Sequence, residues 1–204
     1  MSLPLLPADQ RRTESPPLAR LSPDSFFRQL VKLNHLEGIS HFLFLPGMLF
    51  NDAGQWWGKK KMRTHPHEGI DIYLMRNIDG GIENVLPQMQ IPAILPGYPV
   101  HFHRDFLGET LYVRHPEISR EGAVLHTIYG HGQFNTDQSS PSFINKGVIL
   151  GTISHPPATS AVPAHLHISC AWIMKNQRIE ELNWEDMATN SNVHFIDPLP
   201  YLLR

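Results

Sequence analysis

From about residue 40 onward the apolar residues come in short runs, several of them alternating, cut apart by Gly, Pro, Asn and Asp. These runs include "HFLFLPG", "GIDIYLM", "IPAILPGYPVHFH", "ETLYVRH", "AVLHTIYGH", "GVILGTIS" and "HLHISCAWIM". Runs of that length and period are strands, and the residues between them are turn formers. This texture confines the region to a mostly β architecture. A length of 204 residues suffices for one domain with a real core, or one domain plus an arm. No second core, composition break or solenoid-period repeat interrupts the pattern. The expected organisation is an N-terminal arm and helix over 1–39, followed by one mostly β domain over 40–204.

Residues 1–22 hold four prolines, several charges and little periodicity, and read as an extended arm. The next stretch, "SPDSFFRQLVKLNHLEG", carries Phe26, Phe27, Leu30, Val31 and Leu33 at helical spacing. Ser22 suits the N-cap, Pro23 the first helical position, and Asp24 the positive helix end. Gly38 is the expected stop. The apolar stripe of this helix is expected to pack on the main domain.

A net charge of -2 gives no sign of bulk nucleic-acid binding. No apolar run approaches the roughly 20 residues a membrane-spanning helix needs. The start, "MSLPLLPADQRR", lacks the basic opening and unbroken apolar run of a signal peptide. That leaves a cytoplasmic chain or one whose leader has been removed. The single cysteine, Cys170, excludes an internal disulfide and a thiolate zinc cage. Any metal must be held by His and carboxylate. Thirteen histidines make such a site worth seeking.

The spacing His-x-His occurs three times, at His65/His67, His101/His103 and His165/His167. On a strand, positions i and i+2 share a face at Cα separations on the order of 7 Å. Two imidazoles so placed can share one metal or line one cleft, or they can be ordinary polar packing. The stretch "THPHEGIDIYL" adds a carboxylate. His67 and Asp71 can both reach one ion across a turn, with Gly69 between them allowing the backbone to bend. Asp71 also sits inside an apolar strand, where an aspartate is costly unless paired, hydrogen-bonded or metal-bound.

In chain order the candidates read "HEGID" (67–71), "YGH" (129–131) and "HLH" (165–167). This set resembles the lysostaphin-type, LytM-like zinc endopeptidases of peptidoglycan, with their H-x-G-x-D, Y-x-H and H-L-H motifs on an antiparallel β scaffold. The flanks "WGKKKMRTHPHEGIDI", "INKGVILGTIS" and "IDPLPYL" are similar too, so the resemblance covers roughly residues 55 to 203. It implies an antiparallel sheet or sandwich core and a bound Zn2+. It also implies zinc ligands at His67, Asp71 and His167, a general base at His165 and a second catalytic histidine at His131. The implied substrate is a peptidoglycan peptide or another short peptide. The implied place of work is the periplasm or cell wall.

The chain departs from the family in three segments. Gly132 stands where a leucine often follows the middle histidine. "SHPPATSAVPA" replaces a glycine-rich turn, and residues 72–92 form a longer connection. These departures bear on the walls of the cleft and hence on substrate choice. Some relatives plug the metal site with an asparagine from a preceding segment, and Asn34 is the residue here that could do so.

Two other function classes remain in view. One is a non-catalytic LytM-like domain that binds cell wall or activates another hydrolase. The other is a metal oxygenase or isomerase, because two histidines and one carboxylate also bind non-haem iron. His101 and His103 with Glu109 form a rival, cupin-like set, although the gap to the glutamate is long. His115, His126 and His155 read as polar surface or loop-edge residues. Trp56 and Trp57 read as core or rim packing, and Cys170 as a buried small apolar residue. The basic run 59–63, "KKKMR", reads as a solvated loop or, alternatively, a surface for an anionic partner.

Overall fold

The computed structural model describes residues 13–59, 61–134 and 142–204. In chain order the elements are β1 (Thr13–Glu14), α1 (Phe26–Leu33), β2 (Ile39–Phe44), β3 (Ile70–Ile72), β4 (Leu74–Asn77) and β5 (Ile82–Asn84). They continue with β6 (Gln90–Pro92), β7 (Tyr98–Arg104), β8 (Glu109–Arg120), β9 (Ala123–Phe134) and β10 (Ile149–Ile153). The last are β11 (Leu166–Met174), α2 (Trp184–Thr189), β12 (Val193–Ile196) and α3 (Leu199–Leu202). The architecture is mostly β, and all strand pairs are antiparallel. Among the described residues no helix is long and apolar enough to cross a membrane.

A four-stranded sheet runs β1-β2-β4-β5, and the larger sheet has eight strands. At the centre of the larger sheet β9 pairs with β11. Strand β11 has two partners on its far side, whereas β9 has β8 on its far side and β10 continuing the edge that β11 occupies. Strand β11 takes β3 along Leu166–Ile168 and β12 along Cys170–Ile173. Strand β9 takes β8 along most of its length and β10 at its end. The division matters because β3 brings "GID" to the start of β11, where the "HLH" motif lies.

Two cores sandwich the sheet. One contains Phe26, Phe27, Leu30, Phe42, Ile70, Tyr129 and Ile168; the other contains Tyr112, Ile128, Ile173, Leu182 and Met187. Strands β8 and β9 are therefore covered on both faces, so polar positions within them are buried as well. His115 is 1% exposed and His126 2%, which corrects the expectation of surface histidines. His155 is exposed as expected.

Helix α1 starts three residues later than its capping signals suggest. Ser22 and Ser25 close a turn through Ser25 N–H to Ser22 O (2.9 Å), and Ser25 occupies the N-cap. The turn delivers Phe26 and Phe27 directly into the core, where Phe27 stacks on Phe42 with centroids 4.4 Å apart. The helix stops at Asn34, with His35 left-handed at φ 52°, and not at Gly38. The side chain of Asn34 explains the early stop. Its Nδ2 donates to Leu30 O (2.8 Å) and Gln90 O (2.9 Å), while Oδ1 accepts from Gln90 N–H (2.6 Å). Asn34 ties the helix to β6 and makes no hydrogen bond to His67, Asp71 or His167, contrary to the plug expectation.

Candidate metal centre

Strand register builds the site. His167 of β11 faces Asp71 of β3 on one side and Gly130 of β9 on the other. The approach is too close for a side chain at Gly69. A Cβ there would collide with Ile168 O, and would lie 2.6 Å from Ser169 Oγ and 2.8 Å from His167 Nε2. Close approach, and not a backbone bend, is the reason for this glycine.

His67 Nε2, Asp71 Oδ1 and His167 Nδ1 converge, all within 4.8 Å of one another, and this is the one such group among the described residues. The separations are 3.3 Å for His67–His167, 3.3 Å for His67–Asp71 and 2.8 Å for His167–Asp71. Tetrahedral zinc with bonds of about 2.0–2.1 Å places its ligand atoms about 3.3 Å apart. The triangle therefore fits one face of such a site. All three residues are buried.

Each donor is oriented from behind. His67 Nδ1 donates to Leu49 O (3.1 Å), which leaves Nε2 with its lone pair. Ser169 Oγ lies 2.8 Å from His167 Nε2, leaving Nδ1 to the centre. The second oxygen of Asp71 accepts from Trp56 Nε1 (2.6 Å) and Arg63 Nη2 (3.4 Å). Burial pushes the Asp71 carboxyl up, but His67 and His165 outweigh it and hold the group well below the usual carboxylate range. Burial pulls His67 down, yet Asp71 beside it raises it overall.

His165 and His131 flank this triangle. His165 Nε2 is 3.5 Å from Asp71 Oδ1, and its Nδ1 donates to Pro163 O (2.9 Å). The ring of His131 lies 4.7 Å from that of His165 and 5.9 Å from that of His167, centroid to centroid. The five residues singled out from sequence thus meet in one place. His65 is exposed and stays outside the group. His101 and His103 pack tilted against Tyr112, and Glu109 accepts from Phe134 N–H (3.0 Å), so the cupin-like set does not assemble.

Four contributors escaped the sequence reading. Trp56 packs as expected, in a T-shaped contact with His165 at 5.2 Å, but it also holds Asp71. Arg63 closes the basic run, yet it is no solvated charge. Besides Asp71 it binds Gly47 O (3.1 Å) and Gly54 O (3.2 Å) and lies over Trp57 at 4.7 Å. Trp184 of α2 meets the His167 ring in a T-shaped contact, centroids 4.9 Å apart. Asp105, in the β7–β8 turn, binds His131. The only local sign of Asp105 was a turn-forming Asp three residues before Gly108. Lys60 lies outside the described residues.

A cleft of about 440 Å³ adjoins the centre, lined by Gln55, Met62, His65, Glu68, Trp184 and Phe195 among others.

No family model matches the chain, and no curated protein matches it. Three solved structures are similar in fold. A point mutant of the catalytic domain of the prophage-encoded M23 protein EnpA from Enterococcus faecalis is 16% identical, with a TM-score of 0.43 over 70% of this chain and 84% of that one. A peptidase M23 structure from Pseudomonas aeruginosa is 17% identical, with a TM-score of 0.41 over 69% and 45%. The solution structure of lysostaphin is 18% identical, with a TM-score of 0.42 over 67% and 43%. The chain spans less than half the length of the last two. At such distances the chemistry has to be read from this chain's own side chains.

Proposed function

We propose that the protein is a zinc-dependent endopeptidase acting on peptidoglycan peptides or related short peptides. The observation that carries this reading is the triangle of His67, Asp71 and His167, with two further histidines beside it. The motif resemblance supports the substrate class and an extracytoplasmic place of work.

His67, Asp71 and His167 would hold a zinc ion, which would supply Lewis acidity toward the scissile carbonyl and lower the pKa of water. His165 is the general base. A ring nitrogen facing a carbonyl must be the protonated one, so Nδ1–H donates to Pro163 O and Nε2 keeps its lone pair. That nitrogen takes a proton as the water oxygen bonds to the carbonyl carbon. It returns the proton to the amide nitrogen as the C–N bond breaks. His131 is the second catalytic histidine: its Nδ1–H donates to Asp105, so its Nε2 is left to accept a hydrogen bond from the attacking water beside His165. The adjoining cleft holds the peptide, and Trp184 forms part of its wall.

The test is elemental analysis of the folded wild type beside folded His167→Ala, with hydrolysis followed as new amino groups released from purified peptidoglycan. About one zinc per chain and hydrolysis are expected in the wild type, with both lost in the variant. A folded wild type that takes up no zinc would sink this reading in favour of a binding module. Iron in place of zinc would favour an oxygenase.

A further inference from the structure

His131 sits where β9 breaks regular pairing. Between the pairs Glu109↔Gly132 and Leu111↔Tyr129, β8 contributes one residue, Thr110, and β9 two, Gly130 and His131. Such a bulge leaves a backbone N–H without its ladder partner. His131 also adopts a left-handed φ of 65°, uncommon outside glycine. This conformation persists only if the surroundings enforce it.

Asp105 provides the restraint. Its Oδ2 accepts from His131 N–H (3.0 Å) and from Thr110 Oγ1 (2.8 Å). Its Oδ1 accepts from His131 Nδ1 (3.1 Å) and from the amides of Leu107 and Gly108 (2.8 Å each). The turn amides alone would make an ordinary Asx turn. The contacts to His131 and Thr110 are additional, and they reach across to another strand. The carboxylate is 1% exposed, and every group facing it is a donor. An amide in its place would set an NH2 against donors.

The chain of contacts goes further. The Thr110 hydroxyl, donating to Asp105, accepts from Trp184 Nε1 (2.9 Å). The Trp184 ring in turn meets the His167 ring in a T-shaped contact with centroids 4.9 Å apart. One carboxylate thus holds the histidine at the bulge and, through two side chains, braces a proposed metal ligand.

We infer that Asp105 is a positioning residue: it fixes the backbone and ring of His131, holds the ring as the Nδ1–H tautomer with Nε2 bare, and steadies His167 through Thr110 and Trp184. The inference rests on the endopeptidase reading for its catalytic consequence, but not for the tautomer.

The test compares full-length wild type with Asp105→Asn. Ring-nitrogen NMR of the metal-free proteins reads the tautomer, elemental analysis reads zinc after loading, and steady-state hydrolysis of purified peptidoglycan gives kcat and KM. In the wild type, His131 is expected with Nδ1 protonated. In Asp105→Asn the Nε2–H tautomer gains, zinc stays at about one per chain, and kcat falls about 100-fold with KM little changed. A wild-type His131 protonated at Nε2, or an Asp105→Asn variant unchanged in tautomer and kcat, would overturn the inference. Should Asp105→Asn fail to fold, the wild-type spectrum and Thr110→Val decide. The latter keeps the tautomer and zinc while kcat drops about 5- to 10-fold, and an unchanged kcat counts against the brace. If the wild type cleaves nothing, the endopeptidase reading falls, and the ring-nitrogen result still decides the role of Asp105.

Discussion

Gly69 illustrates how a single residue carries the site. Its neighbours across the strand pair are Ile168 O, Ser169 Oγ and His167 Nε2, all closer than a Cβ tolerates. Gly69→Ala must therefore push β3 and β11 apart just where Asp71 faces His167. The expected cost is about 1–3 kcal/mol in the metal-free protein. Zinc affinity should drop 10-fold or more as His167 shifts from Asp71. Urea unfolding and a zinc competition titration measure the two effects; affinity equal to wild type would show that the close approach does not set the donor geometry. An aspartate inside an apolar strand marked Asp71 as needing a partner, and the likeness of three motifs to one family grouped it with His67 and with His167, which is 96 residues away. The supporting groups were not legible in sequence, because their partners are remote. Trp56 meets Asp71 across 15 residues, Asp105 meets His131 across 26, and Trp184 meets Thr110 across 74.

At the level of elements, β8 and β9 carry two buried histidines besides His131. His115 is satisfied by Pro96 O (2.8 Å) and Thr127 Oγ1 (2.9 Å), whereas His126 has a buried Nε2 with no partner. Burial lowers His115 and pushes His126 down to about 4. Unfolded, both titrate near pH 6.5. Between pH 6.5 and about 4 the unfolded chain binds a proton that folded His126 refuses, so stability falls as pH falls. From pH 7 to pH 5 the His126 contribution to that loss is about 2 kcal/mol. Urea unfolding of metal-free wild type and His126→Gln at both pH values should show a loss smaller by that amount in the variant. Equal losses would mean that His126 does not drive the pH dependence. The strands themselves were readable from alternation and turn residues, but alternation could not reveal that both faces are covered. Each core is completed by segments distant in sequence, α1 on one side and residues 179–193 on the other.

Across the whole molecule, α1 is part of the main core. Phe26, Phe27 and Leu30 are fully buried, and Asn34 clasps the backbone of Gln90. Deleting residues 1–38 would expose the core around Phe42 and strip β6 of its clasp. The expected product lacks a cooperative thermal transition, and its activity does not rise. A truncated protein that melts cooperatively and hydrolyses faster would restore the idea that this segment blocks the cleft.

Period and turn chemistry are local, so the β class, most strand positions and the order of the candidate motifs could be read along the chain. The likeness of those motifs to one family also pointed to a single shared centre. Register is not local. The alignment of β3 and β9 on β11 sets Asp71 and Gly130 opposite His167, and the bulge in β9 turns His131 toward Asp105. These arrangements follow from which strands pair and where pairing slips, which is settled by packing two cores around one sheet. Helix boundaries depend on the same packing. The start of α1 moved from its capping signals to where Phe27 stacks on Phe42 and Phe26 packs beside Phe27, because burying two aromatic rings outweighs one cap by a few kcal/mol.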